Sequence, residues 1–281
     1  MKREINVTVL LDSVFHEDGG AMFSRVPKSM WSKELKPDSS NKVPVAVRTL
    51  LLKTPKKNIL VDTGLGTRLT TRMKRNLKIR KNPALVEELR RHGVERADVH
   101  CVILTHLHPD HSGGCVMESA DGTLIPAFPN AEYIVQKGEF LAGSYPSVVE
   151  TRMYNQDDFL PLHEAGRLRL LEGDEELIPG VHLLLTPGHT RHHQSVLIDT
   201  DEERFFYPGD LVPTTHHLKL TWNMAFDLYP KENAVKKKDI LNFSSREGWI
   251  VIFPHDTRHI MGKVQRVELE SFHVIPTQEK R

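Results

Sequence analysis

The stretch Thr105-His106-Leu107-His108-Pro109-Asp110-His111 places four possible metal ligands within six residues. It follows the apolar run from Val99 to Leu104, which predicts a buried strand. In an extended segment the side chains of His106 and His108 point to the same side, so one metal ion can take both. The stretch therefore predicts a metal site at the end of a strand.

The residues after His108 extend this site to a second metal position. Pro109 stiffens the turn, so Asp110 and His111 face a neighbouring point rather than the point that His106 and His108 share. Imidazole and carboxylate ligands are compatible with zinc, iron, manganese or cobalt. A single surface histidine is common, but this density of ligand types indicates a metal site. Further candidate ligands follow other predicted strands, namely His189, Asp210 and His255.

Strand-like runs occur in pairs in some parts of the chain and are separated by helical patterns in others. The helical patterns span Arg68–Leu77 and Pro83–His92, the second with Pro83 in the first turn and Gly93 after its end. This order predicts an α+β fold, with sheets covered by helices, rather than a doubly wound parallel sheet. The predicted strands are Val43–Leu52, Asn58–Asp62, Val99–Thr105, Ala131–Gln136, Leu168–Leu171, Val181–Thr186, Gln194–Asp199, Arg204–Tyr207 and Trp249–Phe253.

The composition is that of an ordinary globular protein. The formal net charge of +1 leaves no basic surplus for nucleic-acid binding, and we interpret the basic run Lys236–Lys238 as a solvated helix face. No apolar run approaches the roughly 18 residues that a membrane span needs. No signal peptide is visible, and Cys101 and Cys115 do not make a disulfide framework. We expect a cytoplasmic protein that binds neither nucleic acid nor a membrane.

The order of the ligand types, His-x-His-x-Asp-His followed by Gly-His, Gly-Asp and a late His, resembles the metallo-β-lactamase superfamily. The resemblance covers Asp62 to His255. It implies a four-layer αββα sandwich, with a dinuclear metal site at one edge of the sheets. We expect one such domain over residues 1–281, in which residues 1–40 form an N-terminal extension that contributes to a substrate pocket or a dimer contact.

The same resemblance implies a role for each ligand type. One metal would be held by His106, His108 and His189, and the other by Asp110, His111 and His255, while Asp210 would bridge both. Asp62 matches the family's first motif, where the residue usually orients a histidine ligand. His193 is a second candidate for such a supporting contact.

Two segments resemble a particular branch of the superfamily. The string from Thr186 to Thr190, followed by His193-Gln194-Ser195, resembles the N-acyl-homoserine lactonases. The early segment, with Asp18–Phe23, Val26-Pro27-Lys28 and Trp31, is similar to YtnP-type quorum-quenching lactonases and to methyl-parathion hydrolases. The resemblance implies a metal-dependent hydrolase that opens lactone rings, and N-acyl-homoserine lactones are the substrates that it favours. One alternative is a phosphotriester or aryl-ester hydrolase. Another is a metal-binding scaffold protein without catalysis, but the complete set of seven ligands argues against this second alternative.

The ligand set also suggests a mechanism. We expect two divalent metal ions, both zinc. They would share a bridging hydroxide that attacks the substrate carbonyl or phosphorus. Asp110 or Asp210 would pass a proton to the leaving oxygen. We favour Asp210, because a bridging carboxylate lies beside both groups.

The substrate pocket is predicted from apolar residues near the N-terminus. Met22, Phe23 and Trp31 are candidates for its wall, because methionine and aromatic side chains suit flexible apolar ligands. The alternative for them is core packing or a contact in a homodimer. Shorter lactonases of this branch have a tyrosine three residues after the bridging Asp, where this chain has Pro213. In those lactonases the tyrosine contacts the substrate carbonyl, and His216 is a candidate for that contact in this chain.

Overall fold

The computed structural model describes residues 3–268 and 271–277. The chain divides into two compact units. We call the first, Glu4–Phe15 with Val47–Gly173, the central unit. The second, Met1–Arg3 with His16–Ala46 and Asp174–Arg281, is the C-terminal unit. Each unit contains one large sheet and several helices, so the predicted α+β class is confirmed.

The central unit contains a six-stranded sheet and a small two-stranded one. The strand order of the larger sheet is β1-β2-β3-β4-β7-β8, and β3, β4, β7 and β8 run parallel to one another. Neighbouring parallel strands end at the same edge, so the residues after β3 and β4 lie close together. The strands are β1 (Asn6–Asp18), β2 (Lys42–Lys53), β3 (Asn58–Val61), β4 (Val99–Ile103), β5 (Val116–Glu118), β6 (Leu124–Pro126), β7 (Glu132–Gln136) and β8 (Leu168–Leu171).

The C-terminal unit contains a seven-stranded sheet in the order β15-β14-β13-β12-β11-β10-β9. Its pairs are antiparallel except for β12 with β13. A parallel pair needs a crossover connection, and here the longest helix of the described chain, α8, supplies it. The strands are β9 (Glu175–Ile178), β10 (Val181–Leu185), β11 (Gln194–Asp199), β12 (Arg204–Tyr207), β13 (Ile250–Ile252), β14 (Met261–Glu268) and β15 (Ser271–Pro276).

The helices are short apart from α8, which begins with a proline in its first turn and ends at Gly248 in a left-handed conformation. Within the part of the chain that the structure describes, no helix has both the length and the apolar character that crossing a bilayer requires. The helices are α1 (Gly19–Phe23), α2 (Lys28–Glu34), α3 (Thr71–Asn76), α4 (Leu85–Arg91), α5 (Pro109–Ser112), α6 (Lys137–Ser144), α7 (Leu160–Glu164) and α8 (Pro230–Glu247).

Three details differ from the sequence predictions. Pro83 is not in the first turn of α4, because the helix begins at Leu85 after Ala84. The first forty residues contain the whole of the 13-residue strand β1 and the helices α1 and α2, none of which is among the predicted strands and helices. The run Lys236–Lys238 lies on α8 as expected, yet Lys237 is buried, with 1% of its surface exposed.

Candidate metal centre

The ends of β3 and β4 are joined through one buried carboxylate. Asp62 follows β3 with a φ of 60°, a left-handed conformation that Asp tolerates better than most residues. Its Oδ1 accepts a hydrogen bond from the backbone N–H of Thr105, 2.8 Å away, and its Oδ2 accepts one from the Thr105 hydroxyl at 2.9 Å. Asp62 thus holds the strand end from which His106 projects.

The same carboxylate orients a histidine. Oδ2 of Asp62 lies 2.7 Å from Nδ1 of His111, and both side chains are almost fully buried. An imidazole that donates from Nδ1 to a carboxylate presents the lone pair of Nε2 to a metal. Asp62 therefore holds the ring of His111 in one orientation.

The four candidate metal ligands of the central unit lie close together. His106 and His111 are buried, while Asp110, on α5 with His111, keeps about a quarter of its side chain exposed. Nε2 of His106 lies 3.0 Å from Nδ1 of His108. A ligand atom of His106 lies within 4.8 Å of one in His108 and of one in His111, and the same holds for Asp110 with His111.

Backbone packing fixes the loops around this cluster. Gly114 donates from its backbone N–H to the carbonyl of Gly64, at 3.1 Å. A Cβ on Gly114 would lie 2.2 Å from the carbonyl oxygen of Thr63, a distance that no side chain tolerates. Glycine at position 114 therefore lets the loop after β3 pack directly against the segment that follows His111.

In the C-terminal unit, Asp210 stands between two histidines. Its Oδ2 lies 3.3 Å from Nε2 of His189, and its Oδ1 lies 2.9 Å from Nε2 of His255. All three side chains are buried. A carboxylate that presents one oxygen to each of two ligand nitrogens has the arrangement expected of a metal-bridging group.

The Nδ1 atom of each of these two histidines also has a hydrogen-bond partner. Nδ1 of His189 lies 2.8 Å from Oδ1 of Asp227, and Nδ1 of His255 donates to the carbonyl of Ala46 at 2.7 Å. In both cases the partner of Nδ1 leaves Nε2 as the lone-pair nitrogen that faces Asp210. This pairing is typical of metal-binding histidines, so the donor set fits divalent metal ions.

Asp210 is positioned through its backbone. Its N–H donates to Nε2 of His193 at 3.1 Å, while Nδ1 of His193 lies 2.9 Å from the hydroxyl of Thr186. Since Nε2 accepts, the neutral ring carries its proton on Nδ1 and donates it to Thr186. His193 thus contacts Asp210 and is not itself directed towards a metal.

A pocket in the C-terminal unit has His255 in its wall. It encloses about 300 Å³, including its open mouth. Two of the predicted pocket residues on the N-terminal segment and His216 line it, whereas Trp31 lies behind Phe23 with ring centroids 5.3 Å apart. Burial lowers the pKa of His216. The lining residues are Met22, Phe23, Leu35, Pro44, Thr214, His216, His255, Asp256, Thr257 and Arg258.

Sequence reasoning missed two carboxylates at this site. Asp256 accepts from the backbone and hydroxyl of Thr215, at 2.9 and 2.6 Å, and from the backbone of Arg258 at 2.8 Å, so it ties two pocket loops together. Asp227 supports His189. Asp256 directly follows His255 in the sequence and could have been found there, but Asp227 stands in no recognisable motif.

Residues 43–255 match the model of the metallo-β-lactamase superfamily, and the chain belongs to that superfamily. The match covers both units and includes every predicted ligand. The predicted family is therefore confirmed.

The chain is similar to several known proteins. In an alignment of 164 positions, which covers 54% of this chain and 58% of the relative, the chain is 35% identical to an N-acyl homoserine lactonase of a Bacillus species. The chain thus spans somewhat over half the length of that relative. A probable metal-dependent hydrolase from Staphylococcus aureus has the same fold, with a TM-score of 0.87 and 24% identity over 99% of this chain and all of that one.

A second solved structure, of the dizinc quorum-quenching lactonase AidC with a product, N-hexanoyl-L-homoserine, has a TM-score of 0.79. It shares 22% identity over 100% of this chain and 97% of AidC. These structures confirm the metallo-β-lactamase fold. The family and the His and Asp clusters support the prediction of divalent metals.

Proposed function

We propose that this protein is a dinuclear-metal hydrolase that opens the ring of N-acyl homoserine lactones. The placement of Asp210 between the Nε2 atoms of His189 and His255 carries the proposal, because a bridging carboxylate is needed only where two metals are bound. The similarity to an N-acyl homoserine lactonase supports this substrate class.

The metal sites are proposed from the ligand clusters of the two units. One metal is assigned to His106, His108 and His189, and the other to Asp110, His111 and His255, with Asp210 shared. Zinc is the metal we propose, since AidC is a dizinc enzyme. Bound there, the ions supply an activated water and polarise the scissile carbonyl.

The chain's own residues bind the substrate and move the proton. Asp210, buried beside both His189 and His255, takes the proton released by the water and passes it to the leaving oxygen. Asp110 is the second candidate for this step. His216 faces the pocket and replaces the missing tyrosine as hydrogen-bond donor to the substrate carbonyl, while Met22 and Phe23 contact the acyl chain.

Three further features belong to this proposal. One hydrolase domain spans residues 1–281. The protein works as a homodimer in the cytoplasm, with a small lactone or ester as its substrate. The oligomeric state is measured directly by light scattering on the purified protein, where a monomer would contradict the dimer.

Phosphotriester or aryl-ester hydrolysis is the second candidate function. Pro213 favours it, because this residue has no hydroxyl with which to bind a lactone carbonyl at the position where shorter lactonases have tyrosine. The two functions are separated by kcat/KM for a series of acyl-homoserine lactones and for paraoxon-type esters. A higher kcat/KM for lactones supports the first function, and a large preference for the esters overturns it.

A further inference from the structure

The segment between β12 and α8 packs directly on the loop that carries His189. The backbone N–H of Leu228 donates to the carbonyl of His189 at 3.0 Å, and that of Tyr229 donates to Gly188 at 2.9 Å. These two bonds place residues 228 and 229 alongside the proposed ligand. The position of His189 therefore depends on this segment as well as on β10.

The start of α8 is packed equally closely. A Cβ on Gly188 would lie 2.4 Å from Cα of Asn233, so only glycine allows the helix to approach the ligand loop so closely. Gly188 also has a φ of 147°, which L side chains rarely adopt. The helix, the segment before it and the ligand loop are thus held in one arrangement.

Asp227 connects this segment to the imidazole itself. Its Oδ1 lies 2.8 Å from Nδ1 of His189, and 2% of its side chain is exposed. Its Oδ2 accepts from the side-chain amide of Asn223 and from the backbone N–H of Met224, each at 3.0 Å. With both oxygens engaged, the carboxylate has a fixed orientation and holds the ring of His189 in turn.

A buried lysine is bonded to the same segment of the chain. Lys237, on α8, has 1% of its surface exposed, and its Nζ donates to the carbonyl of Trp222 at 2.8 Å. Burial lowers the pKa of Lys237, and the charge of Asp227 offsets part of this lowering. The ammonium thus fixes the backbone at Trp222, in the same segment as Asn223, Met224 and Asp227.

We propose that Asp227 is a positioning residue for His189 and that Lys237 anchors the segment before α8 through its bond to the carbonyl of Trp222, so that the two residues set the affinity of the metal that His189 binds. This inference rests on the proposed role of His189 as a ligand. A carboxylate that accepts from one ring nitrogen of an imidazole raises the basicity of the other, ligating nitrogen and fixes its direction.

Asp227→Asn tests the carboxylate. Because Oδ2 accepts two N–H groups, an asparagine must point its own NH₂ either at those donors or at the N–H of His189. We expect the affinity for one Zn²⁺ per chain to fall by about 10- to 100-fold, measured by competition with a chromophoric chelator. The visible spectrum of the Co²⁺-loaded protein should change as well, which a merely structural role would not cause.

Lys237→Met tests the cation with a side chain of similar length. We expect Zn²⁺ affinity to fall by a smaller factor than in Asp227→Asn, while the metal-free protein unfolds at the same or a higher denaturant concentration, since a buried charge has been removed. The matched control is Ile240→Val, a buried change on the same helix. It should lower stability and leave Zn²⁺ affinity unchanged.

The outcomes separate this inference from the proposed function. Wild-type Zn²⁺ affinity in both Asp227→Asn and Lys237→Met overturns the inference, whatever the activity towards lactones. A wild-type protein that binds Zn²⁺ but hydrolyses no lactone contradicts the proposed function, while weakened binding in the two variants still supports the inference.

Discussion

Asp62 and His111 form a buried pair in which a carboxylate oxygen lies 2.7 Å from the ring nitrogen Nδ1. The carboxylate also accepts from the N–H and the hydroxyl of Thr105, so it joins the ends of β3 and β4 to a proposed metal ligand. A single residue thereby links the sheet to the metal site. The C-terminal unit repeats this design with Asp227 and His189.

Asp62→Asn should weaken metal binding without unfolding the protein. Asparagine tolerates the left-handed backbone at this position, but its amide cannot accept from Thr105 and His111 with both heteroatoms. We expect about 10- to 100-fold lower Zn²⁺ affinity in a chelator competition. The control is Asp157→Asn at an exposed carboxylate, which should bind Zn²⁺ as the wild type does. Equal affinities in the two variants would contradict the role of Asp62.

Metal removal should lower thermal stability. A ligand that binds only the folded state stabilises it by about 2.7 kcal/mol at a free concentration 100 times its Kd. We therefore expect the unfolding midpoint to fall when EDTA is added and to recover when Zn²⁺ is restored, as measured by calorimetry. A midpoint that does not respond to either addition would show that the His and Asp clusters bind no metal tightly.

Gly188→Ala should be strongly destabilising. The new methyl group would lie 2.4 Å from the backbone of α8, and the φ of 147° is unfavourable for alanine. We expect a loss of about 3 kcal/mol or more in the free energy of unfolding. Gly173→Ala is the matched control, because Gly173 also has a positive φ, 85°, but nothing lies within 4 Å of its Cβ. The control should lose only about 1 kcal/mol, and similar losses in both variants would refute the close packing.

Lys237 should make stability depend on pH in the alkaline range. Burial lowers its pKa from 10.5 to about 8 in the folded state, with Asp227 offsetting part of the effect. Between these values the unfolded chain binds more protons, so stability rises with pH. The advantage of Lys237→Met over the wild type should therefore be greatest below pH 8 and shrink by roughly 3 kcal/mol towards pH 10.5. Denaturant unfolding across this range measures it, and a constant difference would contradict the burial of the ammonium.

Phe23→Leu should change the preference for acyl-chain length. Phe23 lines the pocket and is backed by the ring of Trp31, so the pocket wall cannot recede in the wild type. A smaller side chain should raise kcat/KM for decanoyl over hexanoyl homoserine lactone by about tenfold. Phe272→Leu, a buried change outside the pocket, is the control. An unchanged ratio in Phe23→Leu would exclude Phe23 from the acyl site.

Much of the fold follows from local patterns. β8, β11 and β12 have the predicted bounds, because short apolar runs with flanking turn residues define them. The extent of α8 was not predicted. Its apolar residues are few, and its buried face includes the polar residues Asn233 and Lys237, whose burial depends on partners that are distant in the sequence.

The site was predictable to a similar degree. The motif residues His106 to His111 are adjacent in the sequence, so their chemistry is visible without a structure. Asp227 is separated from His189 by 37 residues and belongs to no motif. Its role depends on how the segment before α8 packs against the loop after β10, which no local pattern encodes.

The most direct test of the account measures metal content and hydrolysis of N-hexanoyl homoserine lactone on the same sample. We predict two metals per chain, ring opening that EDTA abolishes and Zn²⁺ restores, and loss of both the second metal and the activity in Asp210→Asn. Intact lactone in the presence of two bound metals, or hydrolysis that persists after their removal, would contradict the account.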